Sequence, residues 1–237
     1  MNKIALLIIF LLSANLSNSQ STKTHKLMRD TIVKVGNTSV MFLRGTDITI
    51  KDRKNVISGT LANNLKLYSA AKKDVFLSKN TKVVFNANGK VISGTLHISQ
   101  KNICFPLPRD PNRCIQVLEG SYFSLYDDGT FQSGTLKNIA GFKPSNSKTL
   151  ILFLNNGLVY LRDDGTIKSG YLYKELNSKW GQFRGGCYIE FDEKGDIVKG
   201  VRNFNFPNTG KFIIEHIEFK NGTPYRLTNK LPCECES

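Results

Sequence analysis

From Gln20 to Gln100 the chain has no glutamate and only four aspartates, against 14 lysines and arginines. A stretch so poor in acid cannot neutralise itself, which suggests either an anionic partner or a solvated sheet face whose lysines protect exposed edges. The 137 residues after Gln100 are nearly balanced, with 18 basic and 15 acidic. Histidine occurs three times, at His25, His97 and His216, far apart in sequence. Three scattered histidines and a single Cys-x-Cys make no zinc pattern. The chain shows no serine elbow, no paired-carboxylate frame and no phosphate loop. No motif places a nucleophile, an acid or a base, so no catalytic residue, metal ligand or cofactor site is expected. Beyond Leu12 no apolar run approaches the roughly 20 residues that cross a bilayer as a helix. Helical periodicity is missing as well. The best candidate, Asn63–Lys73, has neither caps nor a sustained 3.6-residue pattern.

What the chain does have is one phrase, repeated. It reads FNANGKVISGTL at Phe85–Leu96, LYDDGTFQSGTL at Leu125–Leu136 and LRDDGTIKSGYL at Leu161–Leu172. An earlier copy, IKDRKNVISGTL, spans Ile50–Leu61, and a worn one, FDEKGDIVKGVR, spans Phe191–Arg202. Asn-Gly or Asp-Gly between apolar residues is a strong hairpin signal, because glycine takes positive φ without a steric penalty. Each phrase is therefore read as strand, turn, strand. The acidic pairs Asp127-Asp128 and Asp163-Asp164 occupy turn positions, where aspartate bonds its own backbone. Calcium would need six to eight oxygens, which these pairs do not supply. A second glycine recurs at Gly59, Gly94, Gly134, Gly170 and Gly200. A glycine late in a strand predicts a bulge or a sharp bend there.

A further short apolar stretch and turn precede most copies, so each unit is expected to hold about three strands. IEHIEFKNGTPYRL reads as a degenerate terminal copy ending at Pro224, as the caps of stacked arrays require. The expected fold is all-β: an antiparallel hairpin-repeat array of five to six units, an open twisted meander or solenoid, with a closed barrel as the alternative. Asp-Gly followed five residues later by a second glycine resembles the hairpin of MORN repeats and of related bacterial repeat proteins. The resemblance covers about a dozen residues per copy. These repeats carry an aromatic where this chain has Ile92, Gln132, Lys168 and Val198. What the resemblance implies is a hairpin array serving as a scaffold or binding surface.

Met1–Ser19 reads as a secretory signal peptide, with Lys3 ahead of the apolar Ile4–Leu12 and small residues at the cleavage position. Residues 20–30 read as a flexible lead-in, and 31–237 as a single all-β repeat domain with a cysteine-bearing tail. The chain is expected to be exported, either periplasmic or secreted. In an oxidising compartment Cys104 and Cys114 close a proline-rich loop by a disulfide. Cys187, Cys233 and Cys235 complete an odd count, and Cys187 can pair with either tail sulfur. Cys187 with His216 is the one conceivable thiol–imidazole pair.

Candidate ligand-binding residues follow from the charge: Lys51, Arg53, Lys54, Lys72, Lys73, Lys79, Lys82 and Lys90. Trp180 and Arg184 lie close in sequence and suggest a stacking patch, although large aromatics more often close a core. Lys137–Thr149 reads as a surface loop. The function expected is non-catalytic binding or scaffolding in the bacterial envelope. The partner is an anionic polysaccharide, lipopolysaccharide or an acidic protein; nucleic acid is disfavoured. Two alternatives stay open: a secreted inhibitor or immunity-type protein acting through the Cys104–Cys114 loop, and a hydrolase.

Overall fold

The computed structural model describes residues 22–52, 55–205, 212–220, 223–227 and 233. The expected signal peptide, Arg53, Lys54 and Cys235 lie outside them. Every regular element among the described residues is a strand.

Alternation of apolar and polar residues builds short strands in a repeating order of four. The first unit contains β2 (Thr31–Val35), β3 (Thr38–Phe42), β4 (Asp47–Lys51) and β5 (Asn55–Thr60), and is preceded by β1 (Thr22–Lys26). The second contains β6 (Leu65–Tyr68), β7 (Asp74–Leu77), β8 (Lys82–Phe85) and β9 (Val91–Thr95). The third contains β10 (Cys104–Leu107), β11 (Asp110–Gln116), β12 (Tyr122–Leu125) and β13 (Phe131–Thr135). The fourth contains β14 (Ala140–Phe142), β15 (Ile151–Phe153), β16 (Leu158–Leu161) and β17 (Ile167–Tyr171). The fifth contains β18 (Leu176–Ser178), β19 (Gly181–Phe183), β20 (Tyr188–Phe191) and β21 (Ile197–Asn205). A last hairpin, β22 (Phe212–Lys220) and β23 (Thr223–Arg226), ends the array.

The second hairpin of each unit is the repeated phrase. These hairpins pair side by side into one antiparallel sheet of 15 strands, which does not close into a barrel. The first hairpins of units one to four form separate two-stranded sheets. Their inward residues, such as Val40, Val75, Phe105 and Phe142, join one core with Val83, Phe123 and Val159 of the large sheet. We call the two kinds upper and lower hairpins. Each unit thus has four strands rather than three, because the upper hairpins are too short to show a period. Two other expectations change. The polar lead-in holds β1, which pairs with β4 from Thr22↔Lys51 to Lys26↔Asp47. Its side chains are exposed, so backbone bonding to the sheet edge fixes it. The polar connection Lys137–Thr149 holds β14, whose Phe142 is buried against Phe153.

The recurring glycines do not mark bulges. The register shifts lie two positions before them, at Ile92, Gln132, Lys168 and Val198, opposite Val84/Phe85, Ser124/Leu125, Tyr160/Leu161 and Glu190/Phe191. The glycines instead make room for the last apolar residue of the upper hairpin. A Cβ at Gly170 would stand 2.7 Å from the Phe153 ring, and one at Gly200 would stand 2.5 Å from the Phe183 ring. In unit three the upper residue is the smaller Val117, and Phe131 from the phrase itself fills the space, 3.1 Å from a Cβ at Gly134. The phrase's final leucine then bridges back to the same upper residue: Phe42↔Leu61, Leu77↔Leu96, Val117↔Leu136 and Phe153↔Leu172. The leucine amide donates to the residue entering the next lower hairpin, as in Leu61 to Thr81 at 3.0 Å and Leu136 to Gly157 at 3.0 Å. This leucine edge and the opposite turn edge are the two long sides of the array.

Candidate functional site

The turns of both layers meet along the turn edge, in a staggered order. Each upper turn rests on the lower turn of the following unit. A Cβ at Gly89 would stand 2.6 Å from the Gly36 amide nitrogen, and one at Gly165 would stand 2.7 Å from the Pro108 carbonyl. Gly129 sits equally tight beneath Ala70, and Gly195 beneath Ser145. The lower turns are held from within. Asp128 Oδ1 accepts from the Thr130 amide at 2.8 Å and its hydroxyl at 2.7 Å; Asp164 does the same for Thr166 at 2.9 and 2.6 Å. Asn86 Oδ1 accepts from the amides of Asn88 and Lys90, both at 3.0 Å. The acidic pairs are therefore turn-builders, as the sequence suggested. Burial raises the pKa of Asp164, but the Thr166 bonds and the charges of Arg109 and Arg162 outweigh it and hold the carboxyl below its ordinary range.

This stagger decides the surroundings of each predicted basic residue. Lys51 ends β4 and Lys90 follows Gly89, so both stand at the turn edge near the start of the array. Lys72 and Lys73 stand on the β6–β7 turn, which rests on the turn holding Asp127 and Asp128. Lys73 Nζ also donates to the Cys104 carbonyl at 2.5 Å. Lys79 lies at the leucine edge, where its amide donates to Asn64 Oδ1 at 2.7 Å. Lys82 faces outward on the large sheet, paired with Thr60. The six described among the eight predicted residues do not form one patch, since Lys79 and Lys82 belong to other surfaces; Arg53 and Lys54 lie outside the described residues.

A small cleft of about 150 Å³ opens where the first upper turn meets the second lower turn. Lys34, Gly36, Asn55, Asn86, Asn88 and Gly89 line it. Lys51 pairs with Asn55 in register, and Lys90 follows Gly89. Lys90 Nζ also stands 5.6 Å over the Tyr68 ring. The lysine at position 34 was not singled out from the sequence, because nothing local places the β2–β3 turn against Asn88.

The outer face of the large sheet carries an open groove of about 1120 Å³ across the strands from β12 to β21. Its floor holds Ser133, one of four serines buried at the same phrase position, with Ser58, Ser93 and Ser169. Tyr122, Tyr126, Tyr160, Lys168 and Glu190 stand around it. The Tyr126 hydroxyl donates to the Leu161 carbonyl at 2.8 Å. Burial pushes the Tyr188 phenol up to about 12, with the neighbouring Glu190 acting in the same direction. Tyr122, Tyr160 and Tyr188 recur on alternate strands of the sheet, β12, β16 and β20, a signal visible only once the strand order is known.

Trp180 and Arg184 line different hollows. Trp180 packs on Phe219 with ring centroids 5.0 Å apart, while Arg184 stands with Lys174 and Glu175. Cys104 and Cys114 are disulfide-bonded across β10–β11, and that hairpin's turn is seated on Gly165. Cys187 is bonded to Cys233. It therefore has no thiol to offer His216, and the nucleophilic pair considered from the sequence is not formed. Among the described residues no helix is long and apolar enough to cross a membrane, and no group of three or more His, Cys, Asp or Glu could hold a metal ion. No family model, curated protein or solved structure matches this chain.

Proposed function

We propose that this is an exported, non-catalytic binding or scaffold protein of the bacterial envelope, and that it engages an anionic polysaccharide, lipopolysaccharide included, along the basic end of its turn edge. The observation that carries this reading is the cleft between Gly36 and Gly89, which Lys34 lines, with Lys51 in register with the lining Asn55 and Lys90 next in the chain to Gly89. Binding of this kind works by salt-sensitive charge pairing on a rigid surface. The two disulfides fit an oxidising compartment. The MORN-like relationship belongs to the same proposal and rests on turn and glycine spacing.

The test is recovery of the mature protein from its own cells at physiological and at high salt, with mass spectrometry of whatever accompanies it. An anionic glycan that leaves at high salt is the expected result. A discrete protein retained through the salt wash would replace the polymer with an acidic or inhibited protein partner. Turnover of a glycan by the purified protein would move it to the hydrolases. A second reading rests on the outer groove, whose tyrosines and buried serine floor suit an extended ligand of mixed polarity.

A further inference from the structure

We infer that the anion site is confined to the Gly36–Gly89 cleft and its lysines Lys34, Lys51 and Lys90, because the fold itself supplies counter-charges to the basic turns further along. This rests on the function proposed above and names the part of the edge that carries it. The staggered stacking places each upper turn on the next lower turn. Where the upper turn carries Lys72 and Lys73, the lower turn beneath carries Asp127 and Asp128. Where the upper turn carries Arg109, the one beneath carries Asp163 and Asp164, and Arg109 helps to hold Asp164 ionised. Where the upper turn follows Lys34, the one beneath is Ala87-Asn88-Gly89-Lys90. Asparagine keeps the turn geometry there, through Asn86, without bringing a carboxylate. The first junction is thus the same structure as the later ones with its negative charge removed. One acid, Asp52, stands beside Lys51. Asn55, Asn86 and Asn88 add amide groups to the lining. The ligand chemistry that fits is a sulfate, phosphate or carboxylate group carried on a sugar chain. The small volume of the cleft takes one such group, and the flanking lysines engage its neighbours.

The experiment measures binding of the full mature protein to dextran sulfate, with uncharged dextran and poly-glutamate as comparison ligands, across a range of salt. Lys34→Ala and Lys90→Ala are each expected to weaken dextran sulfate binding several-fold. Each should also flatten the dependence of log K on log salt by about 0.7–0.9, as lysines do on phosphate chains. Lys72→Ala and Lys73→Ala should change little. Asp127→Asn with Asp128→Asn should tighten binding by removing the negative charge beneath Lys72 and Lys73, and an asparagine at 128 keeps an Oδ1 acceptor for the Thr130 amide and hydroxyl. Circular dichroism and melting of each variant separate lost folding from lost binding, and Lys34→Arg should retain affinity if charge is what matters. Equal losses at Lys72, Lys73, Lys34 and Lys90 would overturn the confinement while leaving the anionic-surface reading intact. Failure of the unmodified protein to bind dextran sulfate at low salt would overturn both. Preference for poly-glutamate over dextran sulfate would overturn the sugar-chain assignment in favour of an acidic protein.

Discussion

The ring of Phe42 lies over Gly59, and a Cβ on that glycine would stand 2.5 Å from the ring's Cδ1 atom. Phe42 is wholly buried and bridges Leu61, so it has no free direction in which to withdraw. Gly59→Ala is therefore expected to destabilise the fold by about 1–3 kcal/mol through overpacking. Gly94→Ala should cost less, because the facing atom is the end of the flexible Leu77 side chain at 3.1 Å. Urea midpoints of the two variants measure the difference.

The two disulfides close loops of different length. Cys104–Cys114 spans 10 residues, and Cys187–Cys233 spans 46. Loop-entropy arithmetic assigns roughly 2–3 kcal/mol to the first and roughly 4 kcal/mol to the second. Cys187→Ser with Cys233→Ser should accordingly lower the melting temperature more than Cys104→Ser with Cys114→Ser. Calorimetry of the two double variants checks the order.

Arg202 stands where the other four phrases end in leucine. Its guanidinium donates to Glu215 Oε2 at 2.9 and 3.1 Å and to the Trp180 carbonyl at 2.7 Å, and both charged side chains are largely buried. Arg202→Leu leaves the Glu215 carboxylate without this partner and should cost about 3 kcal/mol. Arg202→Leu combined with Glu215→Leu should recover much of that loss, and chemical denaturation of the cycle measures the coupling.

Asp164 provides a pH test. Its pKa is lower in the folded chain than in the unfolded one, so its contribution to stability is present above the unfolded value of about 3.9. That contribution disappears as pH falls through the folded value. Asp164→Asn retains the turn and removes the titration. The variant should lose less stability than the unmodified protein when pH is taken from 6 to about 3. Denaturant midpoints at the two pH values are the readout, and parallel losses would contradict it.

Trp180 packs against Phe219 at the far end of the array from the proposed cleft. Its fluorescence should follow unfolding yet stay constant when dextran sulfate binds. A ligand-induced shift would place the ligand at the wrong end.

The lower hairpins and the turn role of the acidic pairs were legible in the sequence, because Asn-Gly and Asp-Gly act within a few residues. The second layer was not. Its strands are as short as Ala140–Phe142 and Ile151–Phe153, too brief to show a period. The irregular glycine intervals have the same cause. From Phe42 to Leu61, Leu77 to Leu96, Val117 to Leu136 and Phe153 to Leu172 the spacing is always 19 residues, and only the upper hairpins vary in length. The lysines were legible as an excess of charge, but not as a site. Whether Lys72 stands above acidic residues depends on which turn lies beneath its own, 55 residues further on at Asp127, and no local signal encodes that offset.

The overlap of Gly36 on Gly89, Ala70 on Gly129, Pro108 on Gly165 and Ser145 on Gly195 runs in one direction only. The array is laid like roof tiles, and its two ends are not equivalent. An additional four-strand unit set into the middle would find a turn to rest on and a turn to cover it. Lost from the front, a unit would leave the next lower turn bare; lost from the back, it would leave an upper turn with nothing beneath. Growth and loss of repeats in this architecture are therefore tolerated inside the array and penalised at its ends, where β1 and the β22–β23 hairpin stand.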